Sequence, residues 1–161
     1  MEYERITKDK DLFLLSKIAT EIVKEYYDPI LGVEQNDYMI DKFQSVEGLT
    51  RQLDDGYIYY LVKDNGTLLG FIGYYPKDDH LYLSKFYLYK QYRGKGYGKE
   101  IINKLSADAA RRGLIAIELN VNVNNPSIKI YEKMGFKRIR SEKNPIGNDF
   151  FMDDYVYRLE V

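Results

Sequence analysis

Residues 93–99 read RGKGYGK, with glycine at every second position and Arg93, Lys95 and Lys99 interleaved. Glycines spaced this way strip side chains from the backbone, so a ligand can reach N–H groups directly. Where such a stretch opens a helix, those groups sit at the positive end of the helix dipole and favour an anion. Two familiar phosphate loops fail on spacing. Gly94, Gly96 and Gly98 give G-x-G-x-G rather than the G-x-G-x-x-G of dinucleotide turns, and Glu100 follows Lys99 where a P-loop requires Ser or Thr. Two readings remain, a pyrophosphate cradle of another kind or a glycine-rich turn with solvated lysines. Tyr131 is the second chemical candidate. A phenol with a reference pKa of about 10 is protonated at neutral pH and can donate a proton to a leaving group. The same ring can instead be core, with Ile128, Ile130 and Met134 beside it.

What the chain lacks narrows the chemistry. It has no cysteine and one histidine, His80, which removes a thiolate metal site, a cysteine nucleophile and a His-rich metal site together. His80, at a strand start between Asp79 and Leu81, reads as a surface residue. Lys plus Arg number 24 and Asp plus Glu 25, so no global field points to nucleic acid or an anionic membrane as partner. Acid appears from the second residue and no run of about 18 apolar residues occurs, so neither a signal peptide nor a membrane span is expected. A cytoplasmic protein is the expectation. The 17 tyrosines, without one tryptophan, suit strands and ligand clefts alike.

The elements that must position these residues are readable from periodicity. After a short opening strand, Leu12, Leu15, Ile18, Ile22 and Tyr26 recur at helical spacing, and a second helix is expected over 36–45. Residues 57–90 hold three apolar or aromatic runs punctuated by Asp64-Asn65-Gly66 and by 76–79, an antiparallel meander. The glycine cluster then opens a helix in which Ile101, Ile102, Leu105 and Ala109 share a face, stopping at Gly113. LIAIELNV reads as a buried strand. NNPSIKIYEKMGF reads as a short helix with Asn125 as N-cap, Pro126 at the first helical position and Gly135 past the end. Two last strands, about 136–141 and 150–159, flank an expected loop. No repeat or linker divides the chain, so a single domain over 1–161 is expected.

With these elements in place, YRGKGYG resembles the R-x-x-G-x-G/A signature of the GNAT superfamily of acyl-CoA-dependent N-acyltransferases. Arg93 takes the first position, and Gly96 and Gly98 the glycine positions. A preceding strand LSKFYLY, a following strand IELNV and then NNPSIKIYEKMGF, similar to the family's N-x-x-A/S…Y-E-K-x-G-F segment, extend the match over roughly residues 57 to 140. The resemblance implies an α+β (mixed α/β) fold, a central, mostly antiparallel twisted sheet of about six or seven strands flanked by about four helices. It implies acetyl-CoA as cosubstrate and no metal. The backbone of Phe86, Tyr87 and Leu88 would meet the acyl carbonyl and pantetheine arm. Amides of Arg93, Gly94, Lys95, Gly96, Tyr97, Gly98 and Lys99 would take the pyrophosphate, with Arg93 and Lys95 adding charge. Asn125, or Asn124 by a shift of one in register, would face the pantetheine amides. Tyr131 would contact the cofactor and protonate the departing thiolate.

The reaction so implied is direct attack by an amine on the thioester in a ternary complex, with a strand amide near Phe86 stabilising the developing oxyanion. No base-and-orienter constellation supports a covalent acyl-enzyme. For the general base, some relatives carry a glutamate on the strand before the glycine turn, where this chain has Tyr82, and others on the next strand, where Glu118 lies near the position. Water relays, Asp153 and Asp154 stay open. A primary amine is the expected acceptor. Asp54 with Asp55, Asp78 with Asp79, and Asp153 with Asp154 are placed to attract a cationic amine such as a polyamine, although turns use the same residues. YMIDKFQS and MDDY resemble bacterial spermidine/spermine-type members. Amino acids, aminoglycosides and peptide N-termini stay open, as does a homodimer. The competing reading is a regulatory domain that binds acyl-CoA without turnover.

Overall fold

A computed structural model describes all 161 residues. Seven strands and five α-helices follow in the order β1 (Glu2–Ile6), α1 (Leu12–Leu31), α2 (Val33–Phe43), α3 (Val46–Asp54), β2 (Ile58–Asp64), β3 (Thr67–Lys77), β4 (His80–Leu88), α4 (Tyr97–Arg111), β5 (Ala116–Asn122), α5 (Ile128–Lys133), β6 (Lys137–Gly147) and β7 (Phe150–Glu160). The strand order in the sheet is β1-β2-β3-β4-β5-β7-β6. β1 with β2, β2 with β3, β5 with β7 and β6 with β7 are antiparallel, and β4 with β5 is parallel. This is the expected mixed α/β fold with one helix more. No helix is long and apolar enough to cross a membrane. The chain forms two compact units, residues 1–75 with 85–93, and residues 76–84 with 94–161.

In the first unit, α1 buries Leu12, Leu15, Ile18, Ala19, Ile22 and Val23, the face predicted from spacing. Burying each of these Leu, Ile and Val side chains stabilises by about 1.5–3 kcal/mol. These side chains pack with Ile6, Leu49, Tyr59, Leu61 and Phe71. Gly32, at φ +85°, ends α1 and lets α2 start at once. The second expected helix is α2, and a further helix, α3, follows it. Ser45 starts α3, its side chain accepting the Gly48 N–H at 3.1 Å as N-cap. Gly48 admits this tight corner, because a Cβ there would collide with the Lys42 carbonyl.

In the second unit, α4 buries Ile101, Ile102, Leu105 and Ala109 and packs against β5. Gly113, at φ +73°, ends it as expected. The β4–β5 ladder has three residue pairs, His80 with Ala116, Leu81 with Ile117 and Tyr82 with Glu118. Two expectations fail here. The predicted loop between the last strands is a long hairpin, β6 and β7, turning through Gly147, Asn148 and Asp149, all at positive φ. β6 is exposed along nearly its whole length and sits last in the strand order, so it carries no apolar alternation to mark it. The second failure is the start of α5. The helix begins at Ile128, and residues 125–127 form a turn instead of its first turn.

Candidate active site

The glycine turn follows a short 3-10 helix, Lys90–Tyr92. Gly94 and Gly96 adopt φ +74° and +87°, a region open to glycine, and nothing lies within 4 Å of where a Cβ would stand on either. α4 begins at Tyr97, and its first backbone bond runs from the Glu100 N–H to the Gly96 carbonyl at 3.4 Å. The N–H groups of Gly98 and Lys99 therefore have no acceptor in the helix. Arg93 differs from the rest of the motif. Its own N–H donates to the Lys90 carbonyl at 3.2 Å, so the exposed amides start one residue later than the motif suggests. Its guanidinium is likewise engaged. Nε donates to the Leu88 carbonyl at 3.0 Å, a terminal nitrogen lies 2.9 Å from Glu25, and the group stacks over Tyr26 at 4.9 Å. Arg93 braces the entry to the turn, whereas Lys95 and Lys99 are exposed.

Phe86, Tyr87 and Leu88 are all half-buried on β4. The Tyr87 ring packs against Phe71 and Tyr27, at centroid distances of 5.4 and 6.2 Å, so its side chain serves the core. A Cβ at Gly70 would collide with the Tyr87 carbonyl, which is why glycine stands at that point of β3. Lys85, one residue earlier, was not singled out from the sequence. It is buried, and Nζ donates to Gln44 Oε1 at 2.9 Å and to the Phe43 carbonyl at 3.3 Å. Burial pulls its pKa down to about 7.

In the second unit, Asn122, Asn124 and Asn125 organise the passage from β5 to α5. Asn122 Oδ1 accepts the Asn124 N–H at 2.9 Å, and Asn125 Oδ1 accepts the Ser127 N–H at 2.8 Å. Asn125 thus closes an Asx-type turn one step ahead of α5 instead of capping it. Asn125 is buried and Asn124 exposed. Because the helix starts late, Tyr131 is only its fourth residue, and a regular helical rise from Asn125 does not apply. Tyr131 is half-buried with its ring edge-on to Phe136 at 5.8 Å.

The candidate bases separate clearly. Tyr82 donates to Asn120 Oδ1 at 2.9 Å. Glu118 is buried against Arg158 at 2.6 Å. His80 is not a surface residue. It is 6% exposed, with Nδ1 3.0 Å from Asp79 and 3.5 Å from Glu118, and what buries it is the neighbouring strand, invisible in local sequence. Hydrogen bonds from Arg158 and His80 hold the Asp79 carboxyl down at about 2. Asp79, His80 and Glu118 have the residue types of a metal site, with ligand atoms within 4.8 Å of one another, but Arg158 already bonds both carboxylates. Asp153 is exposed on β7. Asp154 is buried, and burial pushes its pKa up to about 6, with Glu142 and Asp153 adding to the rise and an Asn120 hydrogen bond opposing it.

Comparison with known proteins bears on this arrangement. The model of the acetyltransferase (GNAT) family matches residues 18–136. The ribosomal protein bS18-alanine N-acetyltransferase of Haemophilus influenzae is 24% identical over 127 residues, 79% of this chain and 86% of that protein. The crystal structure of PaiA N-acetyltransferase from Thermoplasma acidophilum, in complex with coenzyme A, shares the fold at a TM-score of 0.79 and 22% identity, covering 100% of both chains. An aminoglycoside 6'-N-acetyltransferase complexed with coenzyme A superimposes at a TM-score of 0.65 and 18% identity, covering 99% of this chain and 97% of that one. With the glycine turn, α4 and the β5–α5 passage all inside the matched residues, the chain belongs to the acetyltransferase (GNAT) family, and acyl transfer is its class of reaction.

Proposed function

We propose that this chain transfers an acetyl group from acetyl-CoA to a primary amine by direct attack in a ternary complex, with a small cationic amine such as a polyamine as the favoured acceptor. The observation that carries the reading is the turn over 94–99. Its glycines leave open space where side chains would stand, at the N-terminus of a fifteen-residue helix, which suits a pyrophosphate. The cosubstrate supplies an acetyl group already activated as a thioester.

The chain's own residues would do the rest. Amides of residues 94–99 hold the pyrophosphate, with Lys95 and Lys99 contributing charge, while Arg93 keeps the turn in shape through Leu88 and Glu25. The backbone of Phe86, Tyr87 and Leu88 meets the acyl and pantetheine groups. Exposure favours Asn124 over Asn125 for the side-chain contact to pantetheine. Tyr131 gives the proton of its Oη to the departing thiolate. The attacking amine, with a reference pKa of about 10.4, must first lose a proton. Glu118 is already bonded to Arg158 at 2.6 Å, so a water relay takes that proton. We also take residues 1–161 as one acetyltransferase domain, since the chain enters each compact unit twice.

A peptide N-terminus is the second acceptor class, favoured by the likeness to a bS18-alanine N-acetyltransferase. The test is free-thiol release from acetyl-CoA against polyamines, amino acids, aminoglycosides and alanyl peptides, with a blank lacking acceptor. Release dependent on an amine is expected. Binding of acetyl-CoA with no release from any amine would replace acetyl transfer by the regulatory reading.

A further inference from the structure

Three acids are buried in the second unit, Asp108, Glu118 and Asp154, at 5%, 6% and 3% exposure. Two have cations. Asp108 meets Lys104 at 3.1 Å and also Arg111, and Glu118 meets Arg158 at 2.6 Å. Asp154 has none. Its Oδ2 accepts one amide hydrogen, from Asn120 Nδ2 at 3.3 Å, and its Oδ1 is buried with no hydrogen bond. Buried charges in folded proteins are paired and hydrogen-bonded, so this carboxylate lacks a partner of positive charge.

Its surroundings are built. On β6, Glu142 stands opposite Asp154 in the ladder, and its Oε2 takes a hydrogen from the same Asn120 nitrogen at 3.2 Å. The Tyr82 hydroxyl donates to Asn120 Oδ1 at 2.9 Å, which fixes the amide with its NH₂ toward both carboxylates. Glu142 is already answered by Arg140 at 2.8 Å and by Asn144 at 3.2 Å. Two carboxylates thus converge on one amide, and the deeper one has a single oxygen to spare. A guanidinium would want two open oxygens for its fork, and a magnesium or calcium ion several oxygen ligands. An ammonium, one charge on a compact donor group, fits a single open oxygen.

Position adds to this. Asp154 pairs with Asn122, the last residue of β5, from which the chain passes directly to Asn124 and to α5 with Tyr131. The carboxyl ends of strands are where open α/β sheets take their ligands. A carboxylate with no cation stabilises an amine in its charged form, whereas the amine that attacks a thioester must be neutral. Resting on the acetyl-transfer reading above, we propose that Asp154 binds a second, non-reacting ammonium of the acceptor, and that the substrate class is amines with two or more cationic nitrogens.

The experiment compares putrescine and spermidine with butylamine, which offers the same kind of reacting nitrogen without a second charge. Wild type should acetylate putrescine with kcat/KM at least about tenfold above butylamine, carried by KM. Asp154→Asn should erase that preference while leaving acetyl-CoA affinity unchanged. In wild type, putrescine should also lower the midpoint of the Asp154 carboxylate followed by NMR, a reading that does not depend on the variant. Equal use of butylamine, a preference that survives in Asp154→Asn, or a midpoint that putrescine leaves in place would each overturn the proposal and leave acetyl transfer standing. Acetyl-CoA binding without turnover of any amine would overturn both.

Discussion

Each compact unit buries a charged side chain that has no opposite charge, and the two are treated differently. In the first unit, Lys85 Nζ finds an acceptor for every hydrogen, Gln44 Oε1 at 2.9 Å, the Phe43 carbonyl at 3.3 Å and Gln52 Oε1 at 3.5 Å, with the Tyr59 ring 5.6 Å away. In the second, Asp154 receives one hydrogen bond and leaves an oxygen unmet. A buried polar group that is fully satisfied belongs to the scaffold, and Lys85 pins β4 to the junction of α2 and α3. One that is half satisfied reserves room for something else. The backbone repeats the contrast. Arg93, in the first unit, has its N–H and guanidinium engaged, while the N–H groups of Gly98 and Lys99 in the second have no helical acceptor. Lys85 is closed within its own unit, whereas Asp154 and the turn amides keep polar groups open, as Asn36 Oδ1 does in the first unit.

Substitutions should therefore separate groups that hold the scaffold from groups that stay open to a ligand. The largest effect is expected at Gly96. Gly96→Val would put a β-branched side chain at φ +87° and fill the open side of the turn. Acetyl-CoA affinity measured by calorimetry should fall about a thousandfold, the loss of two or so charge-assisted amide contacts. Lys85→Ala should cost about 2–4 kcal/mol in chemical denaturation, from the cavity and the stranded acceptors, without a comparable loss of acetyl-CoA affinity. An unchanged denaturation midpoint would end the scaffold role of Lys85.

Asp154→Asn should move stability the other way. Asp154 titrates at about 6 in the folded protein against a reference of 3.8, so the native state holds this proton more tightly. Its contribution is favourable at low pH and is lost as pH rises through about 6. Removing the charge should stabilise the protein by about 1–2 kcal/mol at pH 7. The gain should fade as pH drops toward 4. Glu142, Asp153 and Asn120 face this group and must be intact in the comparison. Smallest in free energy, Tyr131→Phe should lower kcat about tenfold or more and leave acetyl-CoA affinity unchanged. Unchanged turnover would remove Tyr131 from the chemistry.

How far the sequence showed this contrast depended on the range of each signal. The glycine turn, the buried face of α4 and the stop at Gly113 were readable because their determinants lie within a few residues. α3 is not marked in the sequence because nine residues, although amphipathic, offer few repeats of the helical spacing, with Ser45 at their start. The second half of β6, beyond residue 141, reads as loop because an exposed edge strand has no alternation to show. His80 and Lys85 were misjudged or passed over because what surrounds them comes from β5 and from the α2–α3 junction. Asp154 was named only as one of several acids. Its isolation depends on the register that sets it across from Asn122 and Glu142, which no local pattern encodes.

The most direct measurement is an amide NMR titration of the wild-type chain with coenzyme A. Resonances of Gly94, Lys95, Gly96, Gly98 and Lys99 should shift strongly, while that of Arg93, already bonded to Lys90, moves little. Saturable binding that leaves the turn unmoved would contradict the assignment of these open N–H groups to the pyrophosphate.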